Sequence, residues 1–194
     1  MRFAVFGAGA IGGVVGARLS QAGRDVVLIA RGPHRDAIAA EGLTLQTPTE
    51  RVTLRIPVIR GPRKMRFSPD DVVLLATKSQ DSSTALLALR DAAPTSTPVV
   101  CLQNGVENER LALRIFSDVY GAVVMAPTAH LEPGAVEAYG AALTGQIDIG
   151  RYPSGVDDRC RTLCEARRPA SRRRLDVAEH RPRHGQRRDG LSER

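Results

Sequence analysis

The sequence predicts an α/β fold: a mostly parallel sheet with helices packed on both of its faces. Three observations carry the prediction. Apolar runs rich in Val, Ile and Leu recur at residues 2–6, 25–30, 70–76 and 98–102, each the length of one buried strand. Segments with helical spacing of apolar residues follow the first, third and fourth of these runs. Finally, glycines gather where the first run passes into the first helical segment.

Arg2-Phe3-Ala4-Val5-Phe6 forms the first strand in this reading. Gly7-Ala8-Gly9-Ala10-Ile11-Gly12 follows with G-x-G-x-x-G spacing. Gly7 permits a tight turn, Gly9 lets a pyrophosphate approach the backbone, and Gly12 lets the helix lie close to the strand. Ile11, Val14, Val15, Ala17, Leu19 and Ala22 then mark a helix that ends at Gly23, and residues 25–30 supply a second strand. A complete βαβ unit therefore lies within the first thirty residues. Its helix N-terminus offers free N–H donors and partial positive charge to phosphates. The reading is a Rossmann-type dinucleotide-binding domain, with residues 7 to 12 as cofactor ligands.

Arg31 follows the second strand directly. Sites for NAD usually place an acid near here to take the ribose 2′-hydroxyl, whereas an Arg accommodates a 2′-phosphate. A guanidinium pairs with that phosphate through a charge-assisted fork. The expected cofactor is thus NADP(H), with Arg35 as a possible helper. Residues 33–40 read as a short helix closed by Gly42. Three short alternating segments, 43–45, 52–54 and 57–59, predict a small antiparallel excursion before the main sheet resumes. Residues 60–64 (Arg-Gly-Pro-Arg-Lys) have no interleaved aromatics and read as a solvated connection.

The strand at 70–76 runs out at Thr77-Lys78-Ser79, and ligands of open parallel sheets bind beyond the carboxyl ends of strands. Lys78, one of two lysines in the chain, is placed there to meet the cofactor or a substrate carboxylate. A helix over 81–90 leads to the strand at 98–102, which ends in Gln103-Asn104-Gly105. Asn104 is a candidate ligand for substrate or nicotinamide; a turn chosen for its backbone alone is the competing reading. After a helix at 107–114, strand-like segments at 119–125, 128–130, 135–138 and 143–149 predict a run of sheet at the far edge of the domain. His130 is read as a polar strand residue without a catalytic part, and Cys101 as core.

Composition narrows the class. With 42% apolar residues and no Trp, the core is aliphatic. No apolar run is long enough for a membrane span. The N-terminus enters a strand without the features of a secretory signal. Three cysteines without a C-x-x-C pair imply neither a disulfide framework nor a zinc site, which fits a reducing cytoplasm. The net charge of +7 is unevenly held: residues 1–150 carry 15 Lys and Arg against 14 acids, and residues 151–194 carry 13 Arg against 7 acids.

The glycine turn, Leu28-Ile29-Ala30-Arg31, Ala76-Thr77-Lys78, Gln103-Asn104-Gly105 with Glu107, and Leu131-Glu132-Pro133-Gly134 occur in an order that resembles the N-terminal domain of the ketopantoate reductase family. The resemblance covers about residues 1–165. It implies NADPH-dependent reduction of a 2-oxo acid, 2-dehydropantoate, to a 2-hydroxy acid in pantothenate biosynthesis. It also implies that residues 7 to 12 hold the pyrophosphate, that Arg31 meets the 2′-phosphate, and that Lys78 and Asn104 line the cofactor and substrate cleft. The family's general-acid Lys and a substrate-binding Glu belong to a helical C-terminal domain that this sequence does not show. Three segments follow: a dinucleotide domain at 1–150, the start of an interdomain helix at 151–166, and an Arg-rich tail at 167–194. The tail lacks an apolar period and is expected to be disordered. A frameshift or truncation accounts for it better than nucleic-acid binding, because acids are interspersed and stacking aromatics are absent. A non-catalytic NADP-binding module, or a related reductase of another oxo acid or an imine, are the alternatives. A homodimer is the assembly left open.

Overall fold

The computed structural model describes residues 1–140 and 144–166. A seven-stranded sheet forms its centre. Its strands are β1 (Arg2–Phe6), β2 (Asp25–Ile29), β5 (Val58–Ile59), β6 (Asp71–Leu75), β7 (Val99–Cys101), β8 (Val119–Met125) and β11 (Gln146–Arg151). They lie in the order β11-β8-β7-β6-β1-β2-β5. Six run parallel, and β11 closes one edge antiparallel to β8.

The side chains of β1 alternate between two cores, as strand geometry requires. Phe3 and Val5 face one side with Leu28, Leu74 and Val100, under helix α1 (Ala10–Gln21). Ala4 and Phe6 face the other with Val73, Leu75 and Val99, under α3 (Ser82–Arg90) and α4 (Glu107–Leu113). Leu28 and Leu89, one in each core, are completely buried, and truncating either to Ala costs about 2–5 kcal/mol. The predicted α/β architecture with helices on both faces is what the chain adopts.

Two expectations need correction. The segments near residue 50 do not form a single excursion. β3 (Leu43–Gln46) and β4 (Arg51–Leu54) pair antiparallel, but Val58–Ile59 joins the main sheet parallel to β2. Nor do the late strands all lie at the far edge. β9 (Thr128–Ala129) and β10 (Ala135–Ala138) leave the main sheet and complete a second, four-stranded sheet ordered β4-β3-β10-β9. The reason is packing: β10 runs parallel to β3, and its Val136 is fully buried against Gly13 of α1, where a Cβ would meet the valine at 2.6 Å. That pairing joins segments some ninety residues apart, which local patterning does not specify. Residues 141–143 of the predicted last strand, and the whole Arg-rich tail, fall outside the described residues.

Two polar clusters pin the frame. Arg2, at the start of β1, forks onto Asp71, at the start of β6, with Nε–Oδ1 and Nη2–Oδ2 distances of 3.0 and 2.7 Å. Asp71 is 1% exposed; burial works against its charge, but the Arg2 fork and the Ser68 N–H hold its carboxyl below the usual range. At the other end, Asp157 caps α5 (Asp158–Glu165), accepting from the Cys160 N–H at 2.8 Å. The same carboxylate accepts from Arg151 and from the Tyr120 hydroxyl, each at 3.0 Å. Burial opposes the charge of Asp157, yet these donors outweigh it and hold the carboxyl well below its ordinary value. Burial, followed by this bond, pushes the Tyr120 hydroxyl up to about 12.

Candidate functional site

The first turn of the sheet creates the site. Gly7 has φ +106°, a conformation in which a side chain is strained, and a Cβ there would come within 2.8 Å of the Ala76 backbone. The loop therefore lies directly on the carboxyl end of β6. A Cβ on Gly12 would meet the Gly7 carbonyl oxygen at 1.9 Å, so only glycine lets α1 start this close to the strand. Gly9 differs from both: a Cβ there meets nothing within 4 Å. It faces open cleft.

α1 begins at this point with no side-chain cap and no acid in its first turn. Its leading N–H groups have no intrahelical partners, so donors and dipole face the cleft uncontested. The chain folds β1-α1-β2 to one side and places β6 on the other. The turn thus lies where the strand order reverses, the place at which open α/β sheets bind ligands.

The cleft has two lobes of about 670 Å³ each. One lies over the ends of β1, β2 and β5 and is lined by Arg31, Arg60, Pro62, Ala85 and Ala88 along with Gly7 and Ala8. The other lies over β6, β7 and β8 and is lined by Lys78, Gln103, Asn104 and Val124 along with Ala10 and Ile11. Gly9, Thr77 and His130 border both lobes.

Each sequence-predicted residue can be placed. Gly7, Ala8 and Gly9 border the first lobe, and Gly9, Ala10 and Ile11 the second; Gly12 supports the turn from beneath. Arg31 is exposed at the rim of the first lobe, and none of the ion pairs among the described residues engages it. Arg35 does not join it there: its guanidinium lies on Asp36 at 2.6 Å, away from the lining. Lys78 and Asn104 share the second lobe. Asn104 Oδ1 accepts the Val124 N–H at 3.3 Å, which leaves its amide N–H groups for the cleft.

Three contributors escaped the sequence reading. His34, on α2 (Gly32–Glu41), is buried and accepts the Gly134 N–H at Nδ1 (3.0 Å). Its Nε2–H therefore donates to the Ala8 carbonyl at 2.7 Å, which fixes the tautomer. Desolvation lowers the pKa of His34, so the ring is a neutral strut under the glycine turn. The His130 ring lies 4.0 Å from it, centroid to centroid, so His130 is part of the cleft wall rather than a bystander on a strand. Gln103 donates to Ser82 Oγ at 3.0 Å and Thr77 Oγ1 at 3.4 Å, tying the ends of β6 and β7. No local pattern reports such contacts, because each joins segments far apart in the chain. Cys101 is buried in β7, and burial pushes its thiol up, as a core residue requires. Among the described residues no group of three metal-ligating side chains occurs, and no helix is long and apolar enough to cross a membrane.

Comparison with known proteins adds to this geometry. The family model described as ketopantoate reductase PanE/ApbA matches residues 3–154. A 2-dehydropantoate 2-reductase of Pyrococcus horikoshii is 34% identical over 158 residues, covering 81% of this chain and 50% of that protein. The crystal structure of a PanE/ApbA family ketopantoate reductase from Ralstonia eutropha JMP134 superposes with a TM-score of 0.75 at 33% identity, over 86% of this chain and 54% of the other. A D-mandelate dehydrogenase complexed with NADH gives a TM-score of 0.70 at 25% identity, over 86% and 52% of the two chains. The chain spans about half the length of the curated relatives it matches.

Proposed function

Given that the chain belongs to the ketopantoate reductase family, we propose that it carries the NADPH-binding half of a reductase that converts 2-dehydropantoate to pantoate, the step that feeds pantothenate synthesis. The observation that carries this reading is the cleft itself. A glycine turn, an uncapped helix N-terminus and a free Arg31 stand in the order that pyrophosphate and 2′-phosphate require. The bound cofactor supplies a hydride; the residues of the chain bind and orient. Arg31 selects the 2′-phosphate, and the first-turn N–H groups take the pyrophosphate. Lys78 supplies a positive charge for the carboxylate of a 2-oxo acid, and the Asn104 amide donates to the substrate or to the nicotinamide end. The proton for the developing alkoxide comes, in this reading, from the half of the family's length that this chain does not span.

A second reading is favoured by the D-mandelate dehydrogenase neighbour, which was solved with NADH: a reductase of another 2-oxo acid using the cofactor without a 2′-phosphate. Titration of the chain with NADPH and NADH, read by cofactor fluorescence, separates the two. The proposal expects a preference for NADPH that Arg31→Glu abolishes while NADH binding changes little. Equal affinity for both cofactors in the unaltered chain refutes the NADPH assignment. Subsequent addition of 2-dehydropantoate tests turnover, and cofactor binding without oxidation is the expected result for this half alone. The same outcome with the full-length partner domain supplied identifies a binding module instead.

A further inference from the structure

We propose that Arg60 is a second determinant of cofactor choice, joining Arg31 on the 2′-phosphate. The inference rests on the NADPH reading above and deepens it. Residues 60–64 look in the sequence like a solvated connection, and Arg60 is indeed exposed, but it also borders the first lobe of the cleft. β5 runs parallel to β2 with Ile59 opposite Ile29, and the Ala30 N–H donates to the Ile59 carbonyl at 3.0 Å. Arg60 therefore leaves the carboxyl end of β5 beside the point where Arg31 leaves β2, across an interstrand gap of about 4.8 Å. Both side chains line the same lobe, over a floor of Pro62, Ala85 and Ala88 suited to an adenine ring.

Charge favours two cations here. A phosphate monoester carries about −1.5 to −2 at neutral pH, more than one guanidinium neutralises. Arg60 is 71% exposed and held only loosely, 3.5 Å from Asp36, whose closer partner is Arg35 at 2.6 Å. A loosely held guanidinium can exchange a shared carboxylate for a dianion at little loss. Asp81 is the carboxylate lining the lobe; it belongs to the turn before α3, and none of the ion pairs among the described residues joins it to either arginine.

The test uses the full chain with Arg31→Ala, Arg60→Ala, both together, and Asp36→Asn, each titrated with NADPH and NADH. Arg60→Ala is expected to weaken NADPH about tenfold or more, the loss of one charge-assisted bond, and to leave NADH within about twofold. The double variant should lose less than the product of the single losses, because the two arginines share one ligand. Asp36→Asn should tighten NADPH a few-fold by releasing Arg60. Retained NADH affinity shows that each variant folds. An unchanged NADPH affinity in Arg60→Ala, with Arg31→Ala impaired, overturns the role of Arg60 and leaves the NADPH reading intact. Equal losses for both cofactors also overturn it, since they indicate stacking on adenine. If neither single variant alters the cofactor preference, or the unaltered chain binds neither cofactor, the NADPH reading itself fails and the proposal with it.

Discussion

Gly9 and Gly12 are three residues apart in one motif, yet alanine at each is expected to do opposite things. At Gly12 the new Cβ would lie 1.9 Å from the Gly7 carbonyl oxygen and 2.9 Å from the Ala76 Cβ. Backbone cannot yield as a side-chain tip can, so α1 must slide away from β1. Overpacking of this kind costs about 3 kcal/mol or more. For a domain of this size that lowers Tm by about 6–12 °C. At Gly9 the backbone is extended with a negative φ of −70°, outside the left-handed region that needs glycine, and the methyl enters open cleft. The fold should be unharmed, or gain about 0.4–1 kcal/mol through a less flexible unfolded chain. In the proposed reading, the methyl nevertheless occupies the space through which phosphates would reach the helix N–H groups. Loss of one such charged hydrogen bond is worth about 1.5–3 kcal/mol, a ten- to hundredfold rise in Kd for NADPH. Thermal melts and cofactor titrations on the two variants decide the matter. Gly9→Ala with unaltered NADPH affinity would refute the placement of the phosphates, and Gly12→Ala with unaltered Tm would refute the close-packing account.

Two further variants test the frame. Arg2→Ala leaves the buried Asp71 carboxylate unpaired and should destabilise the chain by about 3–5 kcal/mol in chemical denaturation; adding Asp71→Asn should restore much of the loss. Asp157→Ala removes the cap of α5 and should lower Tm by a few degrees at pH 7, matching about 1 kcal/mol for a lost N-cap. Because the folded pKa of Asp157 is depressed, its contribution is fully present above the unfolded value near pH 4 and disappears as pH falls toward the folded one. The gap between wild-type and variant melts should therefore narrow in acid; a gap that is constant with pH contradicts the charge-based account.

The central sheet was legible because its strands are continuous apolar runs, and a parallel strand buried on both faces leaves that mark in the sequence. The glycine turn was legible for a similar reason: spacing, preceding strand and following helix are all local. The second sheet was not. β9 and β10 carry the same alternation as an edge strand, and it is long-range contact, the pairing of β10 with β3 and the fit of Val136 against Gly13, that sends them to the second sheet. In the cleft, Arg31, Lys78 and Asn104 could be named because each stands just beyond the carboxyl end of a long apolar run. Arg60 also follows a strand, but β5 is two residues long, too short to be recognised as the sheet's edge. His34 had no marker at all, since its partners Ala8 and Gly134 lie 26 and 100 residues away.

That last separation bears on how the protein comes to be made. During synthesis the β1-α1-β2 unit emerges before the second sheet and has every local signal it needs to condense early. The strut beneath its glycine turn, however, is not secured until Gly134 has left the ribosome and supplied its N–H to His34. Until then the ring has lost the partner that sets its tautomer, and the carbonyl of Ala8 has no fixed donor. An earlier-made unit of the domain is thus finished by a later one. A fragment ending before the second sheet closes would contain the whole glycine motif and still lack the bond that secures its turn.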